Sequence, residues 1–335
     1  MAALPTEIRD CIYGASGTGK SESIARLIEA SYRQTGKKAR IAVGDGSAVT
    51  YEHLVRLGIA ETYTFTMRPW PTATLKGLAR GWWPNAQGKL APTPPEVMAG
   101  IGTYVFEGMS VAARYLMGHT RGGMADRTAR GERLGPDASM RIVEGEVDPK
   151  TGQVVNGTGE AYGTNGQAHY GYVQNIVLEV VQESHTLPVP YVLWTAHEAT
   201  NNPETDLSKE LVIGPEIIGK AMTANIQRSF NNSVHACTVS KRMKQNDAFT
   251  NKAIDELDSE YRLYTRDHFS PSGTSLTRYK AITRRVDGAF PQFFVAETPG
   301  DALLLYYQAV AAETNARAES LITAVASFTD QPHTT

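Results

Sequence analysis

Three observations predict an α/β fold with a mostly parallel central sheet, an antiparallel C-terminal extension and a long irregular insertion. First, Gly14-Ala15-Ser16-Gly17-Thr18-Gly19-Lys20-Ser21 fits the phosphate-binding loop pattern GxxxxGK[ST] at every fixed position. Second, short apolar runs alternate with helical stretches from Ile8 onward, as in strand–helix–strand units. Third, beyond Glu260 the residues alternate as they do in antiparallel strands.

The elements follow in order. Ile8 to Tyr13 reads as a buried strand, and Ser21 to Ala30 carries Ile24, Leu27 and Ile28 at the spacing of a helix packed on a sheet. The glycines between them let the backbone curl with its N–H groups inward, and the helix dipole adds positive potential where phosphates would sit. Arg40 to Asp45 is the next strand, ending in Gly44-Asp45-Gly46-Ser47. Tyr51 to Leu57 is expected to be helical, and Thr62 to Met67 a further strand. Prolines between Pro69 and Pro95 rule out a single helix there. Trp70, Trp82 and Trp83 in this stretch either cap the core or stack bases. Thr103 to Glu107 is an apolar strand ending in an acid, with a helix after it over Val111 to Met117.

From His119 to about Tyr170 glycine and charge replace periodicity. Arg141 to Val147 and Gln153 to Asn156 could pair across Asp148-Pro149-Lys150-Thr151-Gly152. Too few apolar residues are present for a separate core, so residues 119–171 read as an insertion, of the kind that is functional or mobile. Regular pattern returns with a helix over Tyr172 to Ser184 and a strand over Tyr191 to Thr195, ending in Ala196-His197-Glu198. A helix over Ile217 to Phe230 and a strand over Val234 to Ser240 follow. Glu260 to Thr265 and Lys280 to Arg285 read as a meander turning at Ser270 to Gly273, and Asp301 to about Ser327 as a helix before a disordered tail. The expected organisation is one nucleotide-binding domain over 1–290 and a terminal helix and tail over 291–335.

Composition narrows the setting. The formal net charge of −2 gives no overall field toward nucleic acid or anionic lipid, so DNA contact requires a local basic patch. Cys11 and Cys237 lie in apolar runs, as reduced core thiols do, which points to a cytosolic setting. The first strand starts too early for a signal peptide, and no apolar run approaches the roughly twenty residues that cross a bilayer.

In the phosphate-binding reading, residues Gly14, Ala15, Ser16, Gly17, Thr18 and Gly19 supply the cradle, Lys20 reaches the β and γ phosphates, and Ser21 offers its hydroxyl to Mg²⁺. A second acid is required at the end of a neighbouring strand. Glu107 fills that position where aspartate is customary; its alternative is an ordinary solvated acid. Asp45 and Glu198 are candidates to orient or deprotonate the attacking water. His197, at a strand end, either senses the γ-phosphate or is structural. Lys241, Arg242 and Lys244, expected just past a strand end, could complete a neighbouring subunit's site in trans, or form a solvated turn. Arg121, Arg127, Arg130 and Arg133 could track a nucleic-acid backbone, or belong to a mobile loop.

Taken together, Gly14 to Ser21, the strand closing at Glu107 and Ser110, Val192-Leu193-Trp194-Thr195-Ala196-His197-Glu198, and Ile213-Gly214-Pro215 with Gly219-Lys220 ahead of Phe230 resemble the phage-encoded RecA-like P-loop ATPases over roughly residues 5 to 285. The resemblance implies an ATP- and Mg²⁺-dependent core acting in phage DNA recombination, annealing or replication, commonly as a homo-oligomer in the host cytoplasm. It gives Lys20 and Ser21 the phosphate and metal, Glu107 the place of the metal-side aspartate, and His197 the sensor position. Glu107 and the long insertion depart from the pattern. Two functions follow as expectations: an ATPase acting on single-stranded DNA through the basic insertion, or a nucleotide-binding structural component of a phage particle or assembly, in contact with other phage proteins, with slow or absent hydrolysis. A small-molecule kinase fits less well, because the late segment reads as strands and not as an arginine-bearing lid.

Overall fold

The computed structural model describes residues 4–65, 71–118, 146–147, 154–155, 167–200, 211–217, 226–246, 253–269, 277–279, 281–283 and 290–329. The chain begins with β1 (Ile8–Tyr13), α1 (Lys20–Thr35) and β2 (Lys38–Val43), then a 3-10 turn (Gly46–Tyr51), α2 (Glu52–Arg56) and β3 (Ala60–Thr64). Next come α3 (Pro71–Ala79), the hairpin β4 (Trp82–Pro84) and β5 (Leu90–Pro92), α4 (Pro95–Met98), β6 (Ile101–Glu107) and α5, over residues 109–118. A short ladder, β7 (Glu146–Val147) with β8 (Val154–Val155), precedes α6 (Gln167–His185), β9 (Tyr191–Ala196), β10 (Glu198–Thr200) and β11 (Leu211–Pro215). The last elements are β12 (Asn232–Asn246), β13 (Ala253–Tyr264), β14 (His268–Phe269), β15 (Thr277–Tyr279), β16 (Ile282–Thr283), β17 (Phe293–Ala296) and α7 (Pro299–Thr329).

The central sheet runs β17-β13-β12-β1-β9-β6-β2-β3, with β16 beside the start of β12. From β12 to β3 every pairing is parallel. The strands β1, β6 and β9 are buried on both faces, whereas the edge strand β3 alternates with solvent. That is why the central runs read as continuously apolar. Period-2 alternation still sorts their side chains into two cores. Cys11, Tyr13, Phe106 and Trp194 face α5 and α6, with the Phe106 and Trp194 rings stacked 4.1 Å apart. Ile12, Val43, Val105 and Leu193 lie against α1 and α7 on the other face.

The C-terminal segment is built into this architecture. β17 pairs with β13, and Leu303, Tyr306, Tyr307 and Val310 of α7 pack in the same core as Ile24, Leu27 and Ile28 of α1. Both cysteines are free, Cys11 buried and Cys237 half-buried. Among the described residues, no helix is long and apolar enough to cross a membrane.

Several expectations are corrected. The described part of the second meander strand, Ile282–Thr283, pairs with β12 instead, and β13 pairs with β12 and, over Tyr261–Tyr264, with β17. The strand expected to stop at Ser240 continues to Asn246, so Lys241, Arg242 and Lys244 lie inside β12 and not beyond a strand end. Lys241 is in register with Asp258 and Lys244 with Asp255. Trp83 is buried, as a core cap should be, but Trp82 remains partly exposed. Of the helix expected over Ile217 to Phe230, the described part is a 3-10 turn, Ile226–Ser229. Trp70, the Gly219-Lys220 pair, the turn at Ser270 to Gly273, the chain end after Thr329 and the arginines at 121, 127, 130 and 133 lie outside the described residues.

One buried cation locks the sheet. Arg9, only 7% exposed, donates from Nε to the His185 carbonyl and from its terminal nitrogens to the carbonyls of Ile8, Leu187, Val189 and Pro190 at 2.8–3.3 Å. It thereby ties β1 to the turn that feeds β9. Arg9→Met keeps most of the aliphatic volume but removes the guanidinium's hydrogen bonds to these carbonyls, and is expected to cost about 3 kcal/mol, measured by urea denaturation. A loss under about 1 kcal/mol would show that water replaces the guanidinium.

Candidate functional site

The phosphate-binding loop joins β1 to α1 in the expected strand–loop–helix order. Two glycines show why the motif is spelled as it is. A Cβ on Gly14 would stand 2.1 Å from the Ala236 carbonyl oxygen of β12. Gly19 has φ of +76°, in the left-handed region, and a Cβ there would meet Pro299 at 2.2 Å. The loop is therefore packed between β12 and the start of α7. The Ser23 hydroxyl sits between the Gly19 and Pro299 carbonyls, 2.9 and 2.8 Å away, which fixes the first turn of α1 to that start.

Lys20 is buried, and its Nζ donates to the Gly14 and Ala15 carbonyls at 2.9 and 2.7 Å. Ser21 donates its hydroxyl to Glu107 Oε1 at 2.8 Å. Glu107 is fully buried at the end of β6, and its other oxygen accepts from the Tyr51 hydroxyl at 2.7 Å. The solvated-acid alternative for Glu107 is thereby removed. Burial raises the Glu107 pKa, against the opposing pull of the Tyr51 and Ser21 hydrogen bonds. Burial likewise lowers that of Lys20, against the attraction of Glu107, Glu198 and Asp45. Burial thus disfavours the charged form of both groups; a cation beside Glu107 or an anion beside Lys20 would offset it.

A cavity of about 550 Å³ opens over this pair, lined by the loop, Asp45, Ser47, Thr50, Thr195 and His197. Its donor set fits a hard, oxygen-seeking cation held by one carboxylate and one hydroxyl, with the remaining positions left to water and phosphate, as Mg²⁺ prefers. Among the described residues no group of three or more His, Cys, Asp or Glu forms an all-protein metal cage. The N-terminus of α1 and Lys20, which line this cavity, fit a polyphosphate.

Sheet order brings the remaining parts together. Because β9 lies between β1 and β6, the end of β9 faces the cavity between loop and acid. The Gly108 amide donates to Thr195 Oγ1 at 2.8 Å, and the His197 amide to Ser110 Oγ at 2.9 Å, so the ends of β6 and β9 are stapled. His197 lines the cavity, where a γ-phosphate contact is open to it. Asp45 lines it too, with Oδ1 accepting from the Ser47 amide at 2.9 Å at the start of the 3-10 turn.

Glu198 is placed differently. One residue beyond His197, it lines a second cavity, on the other side of the loop, with its carboxylate against His235 Nε2 at 3.1 Å. Engaged there, it is not positioned to activate a water over Glu107. Sequence reasoning missed Tyr51, Thr195 and Ser110, because their roles depend on which strand ends meet and no local pattern marks them. The only hint for Tyr51 is its place at the end of the turn that Asp45 opens.

No protein-family model matches the chain, and no curated protein matches it in sequence.

The raised Glu107 pKa has a stability consequence. An acid that binds its proton more tightly folded than unfolded penalises the fold once it ionises, and the penalty fades as pH falls. Glu107→Gln is therefore expected to raise the thermal midpoint by about 2 °C above about pH 7, with the gap closing toward acid pH, followed by calorimetry across pH. A variant less stable at every pH would mean that the hydrogen bonds to the carboxylate outweigh its desolvation.

Proposed function

We propose that this chain is a P-loop ATPase of the RecA-like class that binds MgATP in the cavity over Lys20, Ser21 and Glu107 and acts on DNA. The observation that carries the nucleotide part is the 2.8 Å contact between the Ser21 hydroxyl and the buried Glu107 carboxylate at the N-terminal turn of α1. A motif serine meeting an acid from a distant strand, beside a lysine already held at the loop, is the arrangement that a metal–triphosphate needs. Bound Mg²⁺ would neutralise charge on the phosphates. The chain's own residues do the rest: loop amides and Lys20 hold the triphosphate, Asp45 is placed to orient a water, and His197 can report loss of the γ-phosphate.

The DNA part rests on sequence, on the arginines at 121, 127, 130 and 133 and on the resemblance to phage-encoded ATPases. Association into a homo-oligomer belongs to the same proposal. The second reading, a virion- or assembly-associated protein that holds nucleotide with slow hydrolysis, is favoured by one observation. Glu198, a candidate to activate water, is engaged by His235 outside this cavity, and among the described residues the carboxylates that line it besides Glu107 are Asp45 and Glu22.

Single-turnover ATP hydrolysis, with and without single-stranded DNA, separates the readings. Lys20→Ala is expected to weaken MgATP binding at least about tenfold. Asp45→Asn should leave binding intact and slow hydrolysis by about 100-fold. Prompt wild-type hydrolysis stimulated by DNA supports the leading reading, whereas tight binding with negligible turnover supports the second. Absence of MgATP binding by the wild type would remove both.

A further inference from the structure

The second cavity, about 450 Å³, lies against the outer side of the loop at Ala15 to Thr18. It contains a chain of polar contacts that the ATPase reading does not use. Glu198 Oε2 is 3.1 Å from His235 Nε2, His235 Nδ1 is 3.3 Å from His268 Nε2, and His268 Nδ1 is 3.4 Å from the Arg266 carbonyl. His235 and His268 are 2% and 5% exposed, and buried polar groups of this kind are as a rule hydrogen-bonded.

Counting protons along this chain gives a definite answer whichever tautomer is chosen. An ionised carboxylate and a carbonyl, the two ends, only accept. Each of the three contacts needs one hydrogen, and two neutral imidazoles supply two. The fully bonded chain therefore carries one proton more than an ionised Glu198 with two neutral histidines. Without that proton, two lone pairs face each other at one of the contacts.

The same carboxylate lines this cavity together with Ala15 to Thr18 of the loop, and the hydrogen bond and charge of His235 hold its carboxyl below the usual range. We propose that Glu198, His235 and His268 form a proton-carrying latch that positions Ala15 of the loop and takes up a proton when a nucleoside triphosphate binds. The inference rests on the nucleotide-binding reading of that loop. Its direction follows from charge. The positive Lys20 disfavours a proton on His235, adding to the larger effect of burial, and a bound polyanion reverses the sign of that field.

The other groups facing His235 do not supply the proton change. Tyr13 of β1, 4.8 Å away ring to ring, and Tyr279 of β15, at 4.6 Å, have hydroxyls raised by burial, as does the Cys237 thiol of β12, pushed up to about 11. Tyr264 of β13 lies on His268 with its ring parallel at 3.5 Å. Asp267, next along from His268, is tied to Arg278 and to the Ala281 amide.

The test is isothermal titration of the full chain with MgATP at about pH 6, in two buffers of different ionisation enthalpy, for the wild type and His235→Gln. Protons exchanged by nucleotide, metal and Glu107 are common to both and cancel. The wild type is expected to take up about half a proton more per site than the variant. Equal uptake overturns the latch while leaving nucleotide binding intact. No binding heat from the wild type in either buffer overturns the nucleotide reading and the coupling with it. Should circular dichroism show that His235→Gln does not fold, His268→Gln, at the far end of the chain and away from the loop, takes its place with the same expected difference.

Discussion

A carboxylate almost wholly withdrawn from solvent constrains the whole molecule. Glu107 sits at the end of a strand buried on both faces, and neither of its oxygens is left to water: Ser21 takes one and Tyr51 the other. Such a group is tolerable only if its hydrogen-bond donors arrive from fixed directions. Those directions come from two separate parts of the chain, the first turn of α1 and the end of the 3-10 turn after β2, which meet at the end of β6. Parallel pairing of β2 with β6, and the insertion of β9 between β6 and β1, set their spacing.

The position of β9 has a second effect. Consecutive residues just past its end, His197 and Glu198, line cavities on opposite sides of the loop. One cavity carries the oxygen donors suited to a metal–phosphate, and the other a carboxylate joined to two imidazoles. The loop is thus gripped from both sides, and the start of α7 closes on Gly19 from a third direction. A loop held in this way has little freedom to collapse when empty, which is what preorganised phosphate binding requires.

Much of this was readable from residue order. Apolar runs located β1, β2, β6 and β9, and the acid closing the run at Tyr104-Val105-Phe106 was recognised as the partner that the loop needs. The second half of β12 carries no apolar run that would mark a strand; there Lys241 and Lys244 stand in register with Asp258 and Asp255 of β13. Arg9 reads in sequence as an ordinary charge at a strand start. Its role exists only because the carbonyls between His185 and Pro190 converge on it across the fold.

By itself, then, the order of residues determined the phosphate-binding loop, the parallel α/β core and the acid that faces the loop. Those properties are local: a backbone shape, a burial pattern, a residue at a strand end. Tertiary structure alone decided that Tyr51 holds Glu107, that Glu198 turns away from the cavity lined by His197, and that His235 and His268, 33 residues apart, stand with ring nitrogens 3.3 Å from each other. These depend on crossover connections and strand order, which join residues far apart in the chain. Local periodicity does not encode them, since contacts between elements are set by packing and not by spacing along one element.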